Sequence, residues 1–256
     1  MNSRTFEPRD RLDSQVAVIT GGNGAIGSVT ARRLASLGAQ VVILQRDPVH
    51  ESDDLLVSLP GKGHFALLAS VTETDELAKA AAQIKERTGG ASILVNAAGF
   101  TRPVPAANLD GLTDQLIDEI FAVTWRGTFA SVRAFAPQMK GRGDAVVINI
   151  SSIAALSGMG SNLAYAGAKA GVEALTKALA KTLGPEIRVL AISPGVVDTP
   201  FVAGRDASFN ERTGASIPLR RVGVADDVAS AIVACTTSLR YATGGIFVVD
   251  GGRHLG

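Results

Sequence analysis

Three side chains in the second half of the chain have the residue types and spacing of a proton-transfer site. Tyr165 and Lys169 are four residues apart in a stretch of helical character, so they are expected to lie on one helix face. An ammonium beside a phenol stabilises the phenolate and lowers the phenol pKa from about 10 towards neutrality. Such a tyrosine can give or take a proton at physiological pH. Ser152, after an apolar run, could donate a hydrogen bond to a substrate carbonyl or alkoxide oxygen.

A glycine-rich segment near the N-terminus has the pattern of a dinucleotide phosphate site. It reads TGGNGAIG from Thr20 to Gly27, between an apolar run and a helix-like stretch. Glycines let the backbone approach phosphates, and the first N–H groups and the dipole of a helix favour negative charge. The glycines fit three registers: G-x-G-x-x-G from Gly22, T-G-x-x-G-x-x-G from Thr20, and T-G-x-x-x-G-x-G with Ala25 replacing the middle glycine. All three predict dinucleotide binding in this context.

Short β-branched runs alternate with longer helical stretches along the whole chain. The runs are VAVIT from Val16, VVIL from Val41, FALL from Phe65, SILV from Ser92, AVVINI from Ala145, IRVLAI from Ile187 and IFVV from Ile246. Their continuous apolar character is typical of parallel strands that are covered on both faces. The alternation predicts an α/β fold of Rossmann type, a doubly wound sheet of seven parallel strands with helices on both faces.

The domain organisation follows from the same pattern. We expect an N-terminal tail over residues 1–14 and a single domain over 15–256. The stretch 198–222 after the sixth strand is long for a plain connection and follows a strand end, where ligands bind in such folds. It is therefore predicted to be a substrate lid. Its arginines could meet an acidic substrate, although exposed arginines are more often simply solvated; they are Arg205, Arg212, Arg220 and Arg221.

The end of the second strand should contact the adenosine ribose of the cofactor. A carboxylate there would bind the ribose hydroxyls of NAD, whereas a basic side chain would bind the 2′-phosphate of NADP. The sequence places Gln45 at the strand end, Arg46 next and Asp47 after it. Because Arg46 can form a fork onto a phosphate, NADP is the preferred cofactor. In the alternative, Arg46 is a solvated charge and Asp47 folds back to the ribose of NAD.

Composition and charge exclude several other classes of protein. Lys plus Arg number 25 and Asp plus Glu 24, which argues against a nucleic-acid partner. A lone cysteine, Cys235, allows no disulfide framework and indicates a cytoplasmic protein. No apolar run reaches the roughly 18 residues that span a bilayer, so no membrane association is expected. His50, His64 and His254 have no metal-site spacing, and no metal is expected.

Six motifs together resemble the short-chain dehydrogenase/reductase family, in its compact single-domain branch that includes the 3-oxoacyl-carrier-protein reductases. They are TGGNGAIG, NAAG from Asn96, NISS ending at Ser152, YAGAK from Tyr165, PGVVDT from Pro194 and TGGIFVVDGG ending at Gly252. The resemblance spans Val16 to Gly252 and favours the third glycine register. It implies a homotetramer and a small-molecule carbonyl or alcohol substrate.

The resemblance also implies roles for individual residues. Tyr165 would be the general acid/base, Ser152 would orient the reacting oxygen, and Lys169 would tune Tyr165 and hold the nicotinamide ribose. Cofactor contacts would come from Gly21, Gly22, Asn23, Gly24, Ile26, Gly27, Gln45, Arg46, Ser70, Val71, Asn96, Ala97, Ala98, Gly99, Pro194, Gly195, Val197 and Thr199. The substrate pocket would be lined by Leu156, Met159 and Asn162, together with Ser152 and Tyr165.

Three positions depart from the family pattern. Thr124 stands where the family usually has an asparagine that feeds a proton-relay water to the lysine. A threonine could still hold that water, but whether the helix keeps the bulge that the asparagine supports is left open. Ala97 replaces an asparagine in the NAAG loop, and Ser70 replaces the aspartate before Val71. Neither change touches the Ser152, Tyr165 and Lys169 set.

The functional hypotheses follow from these motifs. The leading hypothesis is an NADP(H)-dependent oxidoreductase that moves a hydride between the nicotinamide and a carbonyl or secondary alcohol, with a 3-oxoacyl thioester as one candidate substrate. The alternatives are an NAD-dependent polyol, sugar or steroid dehydrogenase and a non-catalytic nucleotide-sensing protein. A sugar-nucleotide epimerase or dehydratase, which the second glycine register would suit, usually carries a larger C-terminal substrate domain.

Overall fold

A computed structural model of the chain describes residues 11–47, 51–203 and 208–255, except for the side chains of residues 51–53. The first ten residues of the expected N-terminal tail lie outside these ranges, as do His50 and Arg205.

All seven predicted strands are present and pair in parallel within one sheet. They are β1 (Val16–Thr20), β2 (Gln40–Gln45), β3 (Phe65–Leu68), β4 (Ile93–Asn96), β5 (Ala145–Ile150), β6 (Ile187–Pro194) and β7 (Ile246–Val249). The strand order is β3-β2-β1-β4-β5-β6-β7. The order reverses between β1 and β4, and the crevice beyond their carboxyl ends is where doubly wound folds bind ligands.

Helices cover both faces of the sheet. They are α1 (Ala25–Ser36), α2 (Glu51–Ser58), α3 (Thr74–Thr88), α4 (Asp114–Phe121), α5 (Gly127–Met139), α6 (Ala154–Ser157), α7 (Leu163–Leu183), α8 (Phe209–Ser216) and α9 (Ala225–Thr237). One buried cluster joins alternate strand residues such as Val18 to α3 and α5 through Ile84 and Phe135. The other joins residues such as Ile19 to α1 and α9 through Leu34 and Ile232. This two-sided burial explains why the strands are continuously apolar.

The helices differ from the sequence prediction in three ways. The sequence from Leu116 to Met139 has helical character throughout and predicts one helix, but a π-helical turn over Ala122–Arg126 separates α4 from α5. The short helix α6 and helix α2 were not predicted. Helix α8 lies inside the expected lid segment. It was not predicted, because its polar residues and Gly214 leave no helical spacing of apolar residues.

The glycine turn is packed too tightly to hold side chains at two of its positions. Gly21 has a φ of +63°, and a Cβ atom there would lie 2.9 Å from the Ala98 Cα atom. A Cβ atom on Gly27 would lie 2.3 Å from the Gly21 carbonyl oxygen. Ala25, in contrast, is the first residue of α1 and has the helical backbone that the third register requires. Its methyl group is therefore compatible with the turn.

We predict that Gly27→Ala disrupts the turn and that Ala25→Gly does not. The clash at Gly27 should lower the free energy of unfolding by about 1–3 kcal/mol and abolish cofactor-induced thermal stabilisation. Denaturant unfolding and thermal shift with NADPH and NADH measure the two effects. Equal cofactor binding by wild type and Gly27→Ala would contradict this account of the turn.

Candidate active site

One cleft of about 1160 Å³ lies at the carboxyl ends of the strands and collects most of the predicted site residues. The predicted residues in its wall are Gly21, Asn23, Gly24, Ile26, Gly27, Gln45, Arg46, Ser70, Val71, Ala97, Ala98, Gly99, Ser152, Met159, Tyr165, Lys169, Pro194, Gly195, Val197 and Thr199. Five others lie outside the wall: Gly22, Asn96, Thr124, Leu156 and Asn162. Gly22 packs against Ile43, where a Cβ atom would come within 2.8 Å of the side chain.

Helix α7 carries Tyr165 in its first turn and Lys169 one turn later, as their spacing predicts. The Lys169 Nζ atom lies 5.6 Å from the centroid of the Tyr165 ring. It donates a hydrogen bond of 2.6 Å to the Ile150 carbonyl at the end of β5. Lys169 is only 4% exposed, and this burial lowers the pKa of its ammonium from 10.5 to about 8. The lysine can therefore exchange its proton near neutral pH.

The two serines after β5 have different hydrogen-bond partners. Ser152 lines the cleft, and its Oγ atom accepts a hydrogen bond of 3.2 Å from the Ala154 N–H. Ser151 is buried, and its hydroxyl donates a bond of 2.9 Å to the Glu173 carboxylate on α7. The sequence analysis missed Glu173, although it lies one helical turn after Lys169. The Ser151–Glu173 contact joins the end of β5 to the helix that carries Tyr165.

Thr124 is buried within the π-helical turn, so the bulge is present without an asparagine. Its side chain is 1% exposed, and its Oγ1 atom has no hydrogen-bond partner within the described part of the chain. A buried hydroxyl without a partner is destabilising unless water or a ligand bonds to it. Thr124 thus has the free hydrogen-bonding capacity that a water-holding residue needs.

Asn96 holds strands together behind the cleft rather than lining it. Its Nδ2 atom donates to the Asn149 Oδ1 atom on β5 at 2.8 Å, and Asn149 donates to Thr176 on α7 at 2.9 Å. The loop after Asn96 is held against the glycine turn because the Ala98 N–H donates to the Thr20 hydroxyl at 3.2 Å. These contacts use the side chain of Asn96 and the backbone of the loop. None of them needs a side chain at position 97, so Ala97 can replace a larger residue there.

The far end of the cleft contains the residues expected to select the cofactor. Gln45 and Arg46 both line it. The exposed Arg46 guanidinium bonds to the Asp47 carboxylate at 2.8 and 2.9 Å, which lowers the pKa of Asp47. The backbone N–H of Ser70 donates a hydrogen bond of 2.8 Å to the Glu76 carboxylate, which fixes the position of Ser70. Val71 packs against Gly127 of α5.

The cleft wall near Tyr165 is largely apolar, and sequence reasoning missed most of it. The Phe201 ring lies 6.1 Å from the Tyr165 ring between centroids, and it contacts Gly99. Phe100, Pro103 and Phe209 also line the cleft. These residues could have been predicted only from their positions, directly after a strand or inside the expected lid. Two further residues there were not predicted as site residues, Arg253 and the lid arginine Arg212.

Two other lid arginines, Arg220 and Arg221, bond to neighbouring groups of the protein. Arg221 bonds to Asp227 at 2.6 Å, and Arg220 donates to the Ala215 carbonyl at 2.5 Å. Cys235 is buried in α9, and burial raises the pKa of its thiol to about 11. Within residues 11–47, 51–203 and 208–255, no group of three potential metal ligands occurs, and no helix is long and apolar enough to cross a membrane.

The cleft suits a dinucleotide on structural grounds. At one end, a glycine-rich turn opens onto the N-terminus of α1, the arrangement that binds a pyrophosphate. At the other end, Ser152, Tyr165 and Lys169 offer a hydroxyl donor and a proton-transfer pair. Fold and site together define a nucleotide-dependent oxidoreductase of Rossmann type.

Comparison with known proteins defines the family. A family model described as enoyl-(acyl carrier protein) reductase matches residues 22–254. The 3-oxoacyl-(acyl-carrier-protein) reductase FabG of Thermotoga maritima is 33% identical over 248 residues, which cover 94% of this chain and 98% of the relative. The cis-4-hydroxycyclohexanecarboxylate dehydrogenase of Sinomonas cyclohexanicum is 35% identical over 243 residues, covering 93% and 96%. The crystal structure of levodione reductase superposes with a TM-score of 0.88 at 25% identity, covering 96% and 99%.

The chain belongs to the short-chain dehydrogenase/reductase family. It is therefore an oxidoreductase that acts on carbonyl or alcohol groups of small molecules, in a family that uses NAD or NADP.

We predict that Lys169→Met makes the protein more stable at pH 7 while abolishing activity. The pKa of Lys169 is lower in the folded chain than in the unfolded chain, so its protonated form is destabilising when buried. This penalty is fully present below pH 8 and disappears between pH 8 and 10.5. After allowing for the lost bond to Ile150, the gain at pH 7 should be about 2 kcal/mol.

Urea unfolding at pH 7 and at pH 10 measures the difference in the free energy of unfolding between Lys169→Met and wild type. This difference should be smaller at pH 10. Lys177→Met is the matched control, because Lys177 lies on the same helix but is exposed. A Lys169→Met protein that is no more stable than this control at pH 7 would show that burial does not penalise the ammonium.

Proposed function

We propose that the chain is an NADP(H)-dependent oxidoreductase that moves a hydride between nicotinamide and a carbonyl or secondary alcohol. The observation that carries this proposal is that Ser152, Tyr165 and Lys169 line the same cleft as the glycine turn and Arg46. A 3-oxoacyl thioester is one candidate substrate, and the similarity to a Thermotoga maritima 3-oxoacyl reductase supports it. The apolar wall around Phe201 suits the hydrocarbon part of such a substrate.

The proposed chemistry divides between the cofactor and the chain. The bound nicotinamide supplies or accepts the hydride. In the reduction direction, the Ser152 hydroxyl donates a hydrogen bond to the substrate oxygen, and Tyr165 gives that oxygen its proton as the carbonyl becomes an alcohol. The Lys169 ammonium stabilises the resulting phenolate. In oxidation, Tyr165 takes the proton back.

We infer that Thr124 takes part in reprotonating the site. Its buried hydroxyl has no hydrogen-bond partner among the described residues and lies on the π-helical turn in contact with α7. By the family resemblance, a water held there would reprotonate Lys169, as the water held by the family asparagine does. The unused bonding capacity of Thr124 supports this role.

Two features support NADP over NAD. Gln45, at the end of β2, offers no carboxylate to the ribose, and Arg46 offers a guanidinium that can bind a 2′-phosphate. Asp47 opposes this preference, because it already bonds to Arg46 and would repel a phosphate. NAD remains the alternative cofactor, with Asp47 bonding to the ribose.

Other parts of the proposal rest on the family resemblance. Ser70 and Val71 would contact the adenine, whereas Val197 and Thr199 would hold the carboxamide. The chain would form one domain over 15–256, with residues 198–222 as its lid. A homotetramer is proposed too, and the exposed aromatic side chains of Phe121 and Trp125 beside α7 support an interface there.

We predict that Tyr165→Phe abolishes turnover but retains cofactor binding. The variant keeps the ring and loses only the hydroxyl that transfers the proton, so kcat should fall about a thousandfold. NADPH oxidation with a panel of ketones measures turnover, and fluorescence titration with NADPH measures binding. Substantial residual turnover would remove Tyr165 from the mechanism.

We predict opposite effects on NADPH binding from substitutions at Arg46 and Asp47. Arg46→Ala should raise the KM for NADPH about tenfold and leave the KM for NADH nearly unchanged, because only NADPH has the 2′-phosphate. Asp47→Asn should lower the KM for NADPH, since it frees Arg46 and removes a repulsive charge. Parallel kinetics with both cofactors measure these values.

Arg142→Ala is the control for charge removal, because Arg142 bonds to the Gly89 carbonyl and does not line the cleft. An Arg46→Ala variant that affects NADH and NADPH equally would favour NAD as the physiological cofactor.

A further inference from the structure

Asn162 was expected to line the substrate pocket, but both ends of its side-chain amide are engaged inside the protein. The residue is 3% exposed and lies immediately before α7. Its oxygen and its nitrogen bond to two different segments of the chain. This arrangement gives it a different role from direct substrate contact.

The oxygen end fixes the start of the helix that carries Tyr165. Asn162 has an extended backbone, and its Oδ1 atom accepts a hydrogen bond of 2.7 Å from the Tyr165 N–H. Asparagine is among the best N-cap residues because its side chain can satisfy such a free N–H group. The backbone of Tyr165 is therefore held directly by Asn162.

The nitrogen end fixes a loop that contributes to the wall of the cleft. The Asn162 Nδ2 atom donates to the Arg102 carbonyl at 2.7 Å and to the Thr101 hydroxyl at 3.2 Å. Ser161 adds two contacts to the same loop: its hydroxyl lies 2.5 Å from that of Thr101, and its carbonyl accepts the Val104 N–H at 2.8 Å. Residues 100–104 are thus tied to residues 161–162.

Packing beneath these hydrogen bonds joins the same two segments. Phe100, Val104 and Tyr165 pack against a small buried cluster formed by Leu116, Ile120, Ala164 and Ala168. Phe100 and Pro103 also line the cleft that contains Tyr165. A displacement of the 100–104 loop would therefore change the width of the cleft beside the Tyr165 hydroxyl.

We propose that Asn162 is a positioning residue that fixes the substrate wall 100–104 relative to Tyr165. It holds Tyr165 through its oxygen and the wall through its nitrogen, so the reacting carbonyl meets the hydroxyl at a constant separation. The role rests on the proposed function of Tyr165. It assigns Asn162 to substrate alignment and not to cofactor binding.

The test separates the two ends of the amide. Asn162→Asp keeps an acceptor for the Tyr165 N–H but replaces the donor that bonds to the Arg102 carbonyl with an oxygen. We expect the KM of the carbonyl substrate to rise about tenfold, with kcat within about twofold and the KM for the cofactor unchanged. Asn162→Ala removes both ends, so kcat should fall as well. Asn162→Gly, which also removes both ends but is better tolerated at an N-cap, replaces Asn162→Ala if that variant fails to fold.

Thr113→Ala is the matched control. Thr113 caps α4 by accepting the Leu116 N–H at 3.3 Å, and it does not line the cleft. Losing this cap should lower the melting temperature by about 2–4 °C without changing either KM. A rise in substrate KM in Thr113→Ala as large as that in Asn162→Asp would reduce the role of Asn162 to general stability and overturn the proposal.

Hydrogen exchange tests the positioning role independently of turnover. In Asn162→Asp, the amides of Thr101, Arg102 and Val104 should exchange faster, whereas those in the first turn of α7 should not. In Asn162→Ala, both sets should exchange faster. Unchanged exchange over 101–104 in Asn162→Asp would overturn the proposal. If wild type shows no NAD(P)H-dependent turnover, the proposed function fails, and the exchange result still decides whether Asn162 ties the two segments.

Discussion

The site depends on one buried charge, the Lys169 ammonium held by the Ile150 carbonyl at the end of β5. Burying an ammonium is unfavourable unless it is hydrogen-bonded, and here its main described partner is a strand-end carbonyl. Forming this bond therefore fixes the position of α7 along β5. Because Tyr165 is one turn before Lys169 and Ser152 is two residues after Ile150, the same constraint brings all three side chains to one cleft.

Buried hydrogen bonds between polar side chains also hold α7 in this position on β5. Ser151 bonds to Glu173, and Asn149 connects Asn96 on β4 to Thr176 on α7. Such groups destabilise a fold when any partner is missing, so they also disfavour other alignments of helix and strand. The hydrophobic clusters supply most of the stability of the sheet, whereas these directional bonds select one register of α7 on β5. The proton-transfer geometry is thus a consequence of how the sheet and helix are joined.

Much of the fold and the chemical core was predictable from the sequence because both depend on local patterns. Apolar runs fixed all seven strands, and the four-residue spacing fixed Tyr165 and Lys169 on one helix face. The π-helical turn around Thr124 was not predictable, since its five residues have no composition that distinguishes them from an α-helix. Its presence shows that the bulge does not require an asparagine side chain at position 124.

The apolar wall of the cleft was less predictable because it is built by residues far apart in the chain. Phe201 meets Gly99 and Tyr165 only after the lid and the loop following β4 converge. Asn162 was predicted to line the substrate pocket, but it lies outside the cleft wall and its nitrogen bonds to a loop about sixty residues earlier in the chain. A helix cap is recognisable from local sequence, but a cap that also holds a distant loop is not. Under the role proposed for Asn162, residues of this second kind would tune substrate alignment while Ser152, Tyr165 and Lys169 stay unchanged.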